Sequence, residues 1–284
     1  MLHPPYKVNY SLCIPNVYTI FYEHYACSFS AIKEFHDFWE CVYIISGGLR
    51  VVVDSRIYDL AKNDLIIYNP LETHTFTITD ENGADILIFS FDAYGDILDY
   101  LAGKAFHLSR HSVETADKIV ECIHNNEKNL SGTEFLTRVP DYMMKNRSFR
   151  DTIMTHVFML LFSASKDEPV SPLSSTASAA MFSELAACME KNIGKNISID
   201  ELSHLCGISP TYIQNVFRKY TGMSAHKYYI TLKMNTALKY LNNGMSVTEI
   251  ADRLGFSSQA HFTKVFKKEI GCSPTSYRRS SLHD

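Results

Sequence analysis

Two short polar helix faces near the C-terminus carry the side chains best suited to chemistry on a polyanion. In the first, Pro210, Thr211, Tyr212, Gln214, Asn215 and Arg218 remain once Ile213, Val216, Phe217 and Tyr220 are assigned to an apolar stripe. In the second, Ser258, Gln259, Ala260, His261, Thr263, Lys264 and Lys267 remain beside Phe262, Val265, Phe266 and Ile270. Gln and Asn can bond an adenine edge bidentately, Lys can donate to guanine, and Ala or Thr can meet a thymine methyl. Thiol chemistry is a poor rival. The cysteines, Cys13, Cys27, Cys41, Cys122, Cys188, Cys206 and Cys272, are scattered, odd in number and never spaced C-x-x-C. Neither a disulfide framework nor a thiolate zinc site is expected, and a reducing cytosol suits them.

The elements that must hold these faces repeat. Ser198–Glu201 and Ser246–Glu249 are both S-x-x-E, the pattern in which a Ser oxygen and a Glu carboxylate satisfy each other's free N–H groups at a helix start. Apolar positions follow, Leu202 and Leu205 in the first copy and Ile250, Ala251 and Leu254 in the second. Gly207 or Gly255 then stops the helix, and Ser209 or Ser257 is the expected cap of the next. Gly222 and Gly271 end that second helix, and Ser224 and Ser273 cap a third. The first helices are offset by 48 residues and the second by 49, so the second turn holds one extra residue. A capped helix, a glycine turn and a second amphipathic helix make a helix-turn-helix. Two copies are predicted, joined by a helix over Ala225–Leu241.

Composition divides the chain the same way. Of 284 residues, 46% are hydrophobic, which excludes a disordered protein and sets a prior of two domains. The net charge of -4 hides an asymmetry: residues 1–183 sum to -9 and residues 184–284 to +5. A basic unit on an acidic body points to a polyanionic partner for the former. Residues 16–92 hold short Val/Ile/Tyr/Phe runs between turn signals such as Gly47-Gly48, Lys62-Asn63-Asp64 and Glu81-Asn82-Gly83, which predicts an antiparallel barrel or sandwich. Two helical stripes follow, Val113, Ala116, Ile119, Val120 and Ile123, then Ile153, Val157, Leu160 and Leu161. The Ser/Pro/Ala-rich stretch after Lys166 reads as a linker. The expected organisation is therefore a β domain over 1–105, a helical dimerisation or packing segment over 106–165, a linker over 166–181 and a helical domain over 182–284. The longest apolar run, Val157–Phe162, is too short for a membrane span, and the first ten residues carry no signal pattern; a cytoplasmic protein without a membrane partner is expected.

The segment Gly255–Arg279, GFSSQAHFTKVFKKEIGCSPTSYRR, resembles the C-terminal signature of the AraC/XylS family of bacterial transcription regulators. Ile250-Ala251, Gly255-Phe256, Phe262, Phe266-Lys267-Lys268, Gly271, Ser273-Pro274 and Tyr277-Arg278 carry the likeness, which extends back through Ala186. The resemblance implies base contacts from Thr211, Gln214 and Asn215 and from Gln259, Ala260, Thr263 and Lys264. Arg218, Lys219, Lys267 and Lys268 suit phosphates. The joining helix departs from the family, with Thr231, Lys233 and Thr236 where arginines are usual; Lys233 is then its remaining phosphate contact.

Phe35–Phe76 is similar to the cupin-like sensory domain of many members of that family, through His36-x-Phe38-x-Glu40-Cys41, Ser46-Gly47, Asn63-Asp64-Leu65 and Pro70-x-x-x-His74. Metal cupins use an H-x-H pair, a Glu and a distant His. Here His36, Glu40 and His74 fill three places but Phe38 takes that of the second His, so no metal and no cofactor is expected. Two other readings stay open: hydrogen-bonded residues of the barrel mouth, or an effector pocket whose wall is His36, Trp39, Glu40, Tyr43, Tyr68, His74 and Phe91. The fold class expected is thus α+β in two domains, a cupin-like antiparallel barrel with following helices and an all-α domain with two helix-turn-helix motifs. The function expected is sequence-specific binding of double-stranded DNA under control of a small-molecule or other signal. By resemblance the protein is a homodimeric activator that works with RNA polymerase and not an enzyme. The alternative is a metal-dependent cupin enzyme with a DNA-binding tail.

Overall fold

The computed structural model describes residues 11–31, 34, 36–127, 145–173 and 177–280. Parts of the predicted helical segment (128–144) and of the linker (174–176) lie outside the described residues. Nine strands, β1 (Val17–Tyr25), β2 (Trp39–Ser46), β3 (Gly48–Val53), β4 (Arg56–Ala61), β5 (Asp64–Tyr68), β6 (His74–Ile78), β7 (Ala84–Phe91), β8 (Ala105–His107) and β9 (Glu168–Val170), occur among the described residues. They form a six-stranded sheet in the order β1-β7-β2-β5-β8-β9 and a three-stranded sheet in the order β4-β3-β6. All named ladders are antiparallel. The expected barrel is therefore not a closed ring of strands but two sheets face to face.

Alternation along each strand decides what lies between them. Val42, Ile44, Ile66, Ile86 and Ile88 of the large sheet meet Leu49, Val51, Tyr58 and Phe76 of the small one in an inter-sheet core. The other face of the large sheet, Cys41, Tyr43, Leu65, Ile67, Leu87, Phe89 and Phe91, packs on helices. Burial on both faces explains why β5 is apolar almost throughout, with all five residues buried. At the β2–β3 turn Gly47 has φ +79, and a Cβ there would stand 2.2 Å from the Gly83 carbonyl oxygen, so the turn demands glycine. Strand β4 escaped the sequence reading because Arg56 and Asp59 interrupt its apolar pattern, as an edge strand permits. The three-residue β8 and β9 are too short to show a period.

The helices on the outer face are α1 (Ile97–Leu101), α2 (Arg110–Glu127) and α3 (Arg147–Ala164). The stripe residues Ala116, Ile119 and Ile123 of α2 and Ile153, Val157, Leu160 and Leu161 of α3 are buried in the same core as the sheet face. These faces are consumed within one chain. The predicted linker is largely structured: β9 pairs with β8, the Leu173 N–H donates to the Ile57 carbonyl at 2.6 Å, and α4 (Ala177–Lys191) has already begun. Its Ser/Pro/Ala composition misled because Ala179 is a buried packing residue of that helix.

The helical domain continues with α5 (Ile199–Cys206), α6 (Pro210–Thr221), α7 (Ala225–Asn242), α8 (Val247–Arg253), α9 (Gln259–Ile270) and α10 (Pro274–Ser280). Both predicted capping boxes form, with each Ser oxygen accepting from the Glu N–H three residues on and each Glu reaching back to the cap. Gly207, Gly222 and Gly271 are left-handed helix stops. One stripe residue is misplaced: Leu202 is buried, whereas Leu205 is 60% exposed, because an eight-residue helix turns only one narrow face inward. Leu202→Ala is accordingly expected to cost about 2–5 kcal/mol in a urea melt, and Leu205→Ala within about 0.5 kcal/mol of nothing.

Candidate functional site

Helices α5 and α6 form the first helix-turn-helix, and α8 and α9 the second. At the start of α6 the Ser209 hydroxyl accepts from the Tyr212 N–H and Pro210 occupies the first turn, where a missing N–H costs nothing. At the start of α9 the cap is Ser258, which accepts from the His261 N–H, while Ser257 pairs with the His261 ring at 3.1 Å. The expected cap, Ser257, is thus wrong by one position, and the extra residue in the second turn is the reason.

Ile213, Val216, Phe217 and Tyr220 hold α6 in a core with α4, α5 and the first half of α7. Phe262 and Phe266 hold α9 against α8 and the second half of α7. What these anchors leave outside is the polar set that the sequence picked. Thr211, Asn215, Arg218 and Lys219 are exposed on α6, and Gln259, Ala260, Lys264, Lys267 and Lys268 on α9, with Thr263 half-buried. Three residues have internal partners. The Gln214 amide oxygen accepts from the Ala225 N–H at 3.2 Å, so Gln214 assists the cap of α7. The Gln259 oxygen accepts from the Thr248 hydroxyl at 2.8 Å, tying α9 to α8. Lys219 Nζ lies 3.5 Å from the Ser178 hydroxyl.

Lys233 overturns its assignment as a phosphate contact. Its residue is 1% exposed, and its ammonium donates to the Lys195 carbonyl at 2.5 Å and the Leu254 carbonyl at 2.6 Å, between the rings of Tyr229 and Phe256. Burial pulls that ammonium down to about 8. It remains largely protonated at neutral pH and acts as a strut between the two motifs. The sequence could not separate this from a surface lysine, since only the fold brings residues 195 and 254 to it.

In the sheet domain the expected pocket wall splits in two. Trp39, Tyr43 and Phe91 belong to the helix-facing side of the large sheet. Glu40 and Tyr68 face the other way, where the period-2 alternation of a strand must send them. These seven residues therefore cannot line one cavity. What does converge is His36, Glu40, His74 and Tyr68. Glu40 stands 3.3 Å from His74 Nε2 with one oxygen and 3.5 Å from His36 Nε2 with the other. The His74 ring is stacked on Tyr68 with centroids 4.0 Å apart, and the His36 ring on Phe38 at 3.9 Å. Burial would raise the Glu40 carboxyl, but hydrogen bonding and positive charge from His36 and His74 outweigh it and hold it down at about 2. The carboxylate is ionised at every physiological pH.

This cluster adjoins the boundary between the domains. Thr73 accepts a hydrogen bond at its hydroxyl from the Asn235 amide of α7, both buried. Tyr228 of α7 donates to the Asp54 carbonyl at 2.9 Å, and Leu71 packs among Met234, Leu238 and Leu241. Val52 and Ile57 enter the core of the first helix-turn-helix. Helix α7, which carries both motifs, is thus one support of the sheet domain; α4 is the other, its Ser183 hydroxyl donating to the Ser55 carbonyl at 2.9 Å.

Two family models match in the order that the fold presents, an AraC-like ligand binding domain over residues 16–132 and a helix-turn-helix domain over residues 202–280. The HTH-type transcriptional activator AarP of Providencia stuartii is 33% identical over 102 residues, which span 36% of this chain and 76% of that protein. The chain belongs to the AraC family of transcriptional regulators. Likeness over both domains is found in the Msm operon regulatory protein of Streptococcus mutans, 22% identical over 84% of this chain and 82% of that protein. YbfI, an HTH-type transcriptional regulator of Bacillus subtilis, is 24% identical over 84% of this chain and 89% of its own length. An AraC-type regulator binds DNA through its helix-turn-helix domain, the part of this chain that carries the exposed polar faces of α6 and α9. Among the described residues no helix is long and apolar enough to cross a membrane.

Proposed function

We propose that this AraC-type regulator binds one specific double-stranded site by placing α6 and α9 in successive major grooves. The two helices would engage grooves about one helical turn, ~10 bp, apart. Thr211 and Asn215 on the first helix and Gln259, Ala260, Thr263 and Lys264 on the second read base edges. Gln214 joins them through its amide nitrogen while its oxygen caps α7. Arg218, Lys219, Lys267 and Lys268 hold phosphates. The observation that carries this reading is the exposure of both polar faces on two capped, separately anchored motifs in the one basic part of the chain.

The protein works in the cytoplasm as a homodimeric activator that engages RNA polymerase, and its sheet domain regulates rather than catalyses. Since the stripes of α2 and α3 are used internally, dimer contacts fall to the opposite face of α3, where Met159 and Phe162 are exposed. A signal enters the sheet domain at the His36–Glu40–His74 end, next to the segment that meets α7.

Mapping of genomic binding sites, followed by gel-shift titration of the recovered sequence across salt concentrations, tests the DNA reading. Four phosphate contacts per protomer predict a log–log salt slope of about -3 to -4 for each bound protomer, and about -7 for a dimer on its site. Equal affinity for scrambled DNA, or a slope near zero, would refute it.

A further inference from the structure

We propose that His36, Glu40 and His74 form a binding site for one divalent transition-metal ion of the zinc, iron or manganese class, and that this ion is the signal the sheet domain receives. The second half of the proposal rests on the reading above that a signal enters there; the metal site itself does not.

The donor set is preformed. His36 Nδ1 donates to the Phe38 carbonyl at 2.9 Å and His74 Nδ1 to the Glu72 carbonyl at 3.1 Å, since a carbonyl can only accept. Each imidazole therefore has its tautomer fixed, with Nε2 turned toward the shared carboxylate. Metal-ligating histidines commonly donate their far N–H to a backbone carbonyl in this way, which fixes the ring orientation. Both Nε2 atoms are buried and make no hydrogen bond of good geometry among the described residues. A neutral Nε2 lone pair facing a carboxylate oxygen is repulsive, so a proton or a cation must stand between them.

The distances suit a cation. Bonds of about 2.0–2.1 Å at tetrahedral angles set neighbouring ligand atoms about 3.3–3.4 Å apart. His74 Nε2 stands 3.3 Å from one Glu40 oxygen and His36 Nε2 3.5 Å from the other, a spacing open to a carboxylate bound through either or both oxygens, and one ligand atom from each of the three residues lies within 4.8 Å of the others. Two imidazoles and a carboxylate select borderline transition metals over calcium or magnesium, which prefer oxygen alone. The Tyr68 hydroxyl, whose ring lies against His74, is buried without a hydrogen-bond partner among the described residues, which leaves a polar atom beside the site to bond a metal-bound water. Phe38, the residue that argued against a metal in the sequence, instead clamps the His36 ring and supplies the carbonyl that orients it.

The route outward is short. The Leu71 N–H donates to the His36 carbonyl at 2.7 Å, and Thr73, beside His74, accepts from Asn235 of α7. Drawing the two histidines onto one ion fixes both ends of the segment 71–74 that docks on the helix carrying both motifs.

The test uses the full chain, stripped with chelator and dialysed against Zn2+, Mn2+ or anaerobic Fe2+, with metal counted by mass spectrometry. One equivalent per chain is expected. His74→Ala and Glu40→Gln should each weaken binding on the order of 100-fold, with His36→Gln as a third variant and thermal melts to certify folding. Co2+ loading should give an absorption spectrum without thiolate charge transfer, which excludes the free cysteines as ligands. Equal metal content in wild type and in folded ligand variants, or a thiolate spectrum, overturns the site. Metal should change operator affinity at least about fivefold in wild type and not in His74→Ala. An unchanged affinity in metal-loaded wild type overturns the signalling role alone. Absence of any specific DNA binding condemns the proposed function and leaves the metal count to stand or fall by itself.

Discussion

Lys233→Ala will destabilise the helical domain by about 3–5 kcal/mol, and Lys233→Met, which keeps the packed stem, by about 1–3 kcal/mol. The alanine variant loses a buried stem as well as two charge-assisted hydrogen bonds, and both variants leave the Leu254 carbonyl in a core without its donor. Urea unfolding followed by circular dichroism reads both numbers from the midpoint. The same lysine as a phosphate contact predicts the reverse: an unchanged midpoint, weaker DNA binding and a salt slope smaller by about one. The two outcomes cannot be confused. Because the strut joins the Lys195 carbonyl, ahead of α5, to the Leu254 carbonyl, behind α8, the variants should also loosen the spacing between α6 and α9. Operator affinity then falls as a consequence of stability and not of lost charge.

Asn215→Ala and Lys264→Ala will each weaken specific binding by about 1–3 kcal/mol, roughly 5- to 150-fold, while leaving the urea midpoint in place. Both side chains are exposed, one on α6 and one on α9. The double variant should be additive within about 0.5 kcal/mol, because the two helices sit in separate cores with α7 between them. Specificity should relax at different positions of the operator for the two variants, which a base-by-base competition gel shift resolves. Unchanged operator affinity in both would remove these residues from base reading. Gln214→Ala is a less clean probe, since it also removes the acceptor for the Ala225 N–H and with it part of the cap of α7.

The charge asymmetry places a ceiling on what such contacts can rely on. A domain with a net charge of only +5 draws little affinity from bulk attraction to DNA. One basic residue that the sequence counted toward phosphate binding, Lys233, is spent internally. Affinity must then come chiefly from well-placed groove contacts.

By itself the sequence determined the local structure of the helical domain and the identity of the family. Caps at Ser198, Ser209, Ser224 and Ser246 and stops at Gly207, Gly222 and Gly271 act across three or four residues, so their chemistry is readable in a line of text. The longer strands of the sheet domain other than β4 announced themselves through runs of Val, Ile, Tyr and Phe for the same reason. Tertiary structure alone decided which distant residues meet. Glu40 and Tyr68 pair across a ladder, His74 arrives from the other sheet, and Trp39, one residue from Glu40, points to the opposite core. A strand's period of two makes neighbours in sequence strangers in space, and the partner on each face depends on register between strands far apart in the chain. Lys233 repeats the lesson in a helix, where residues 38 and 21 positions away turn a surface charge into an internal strut.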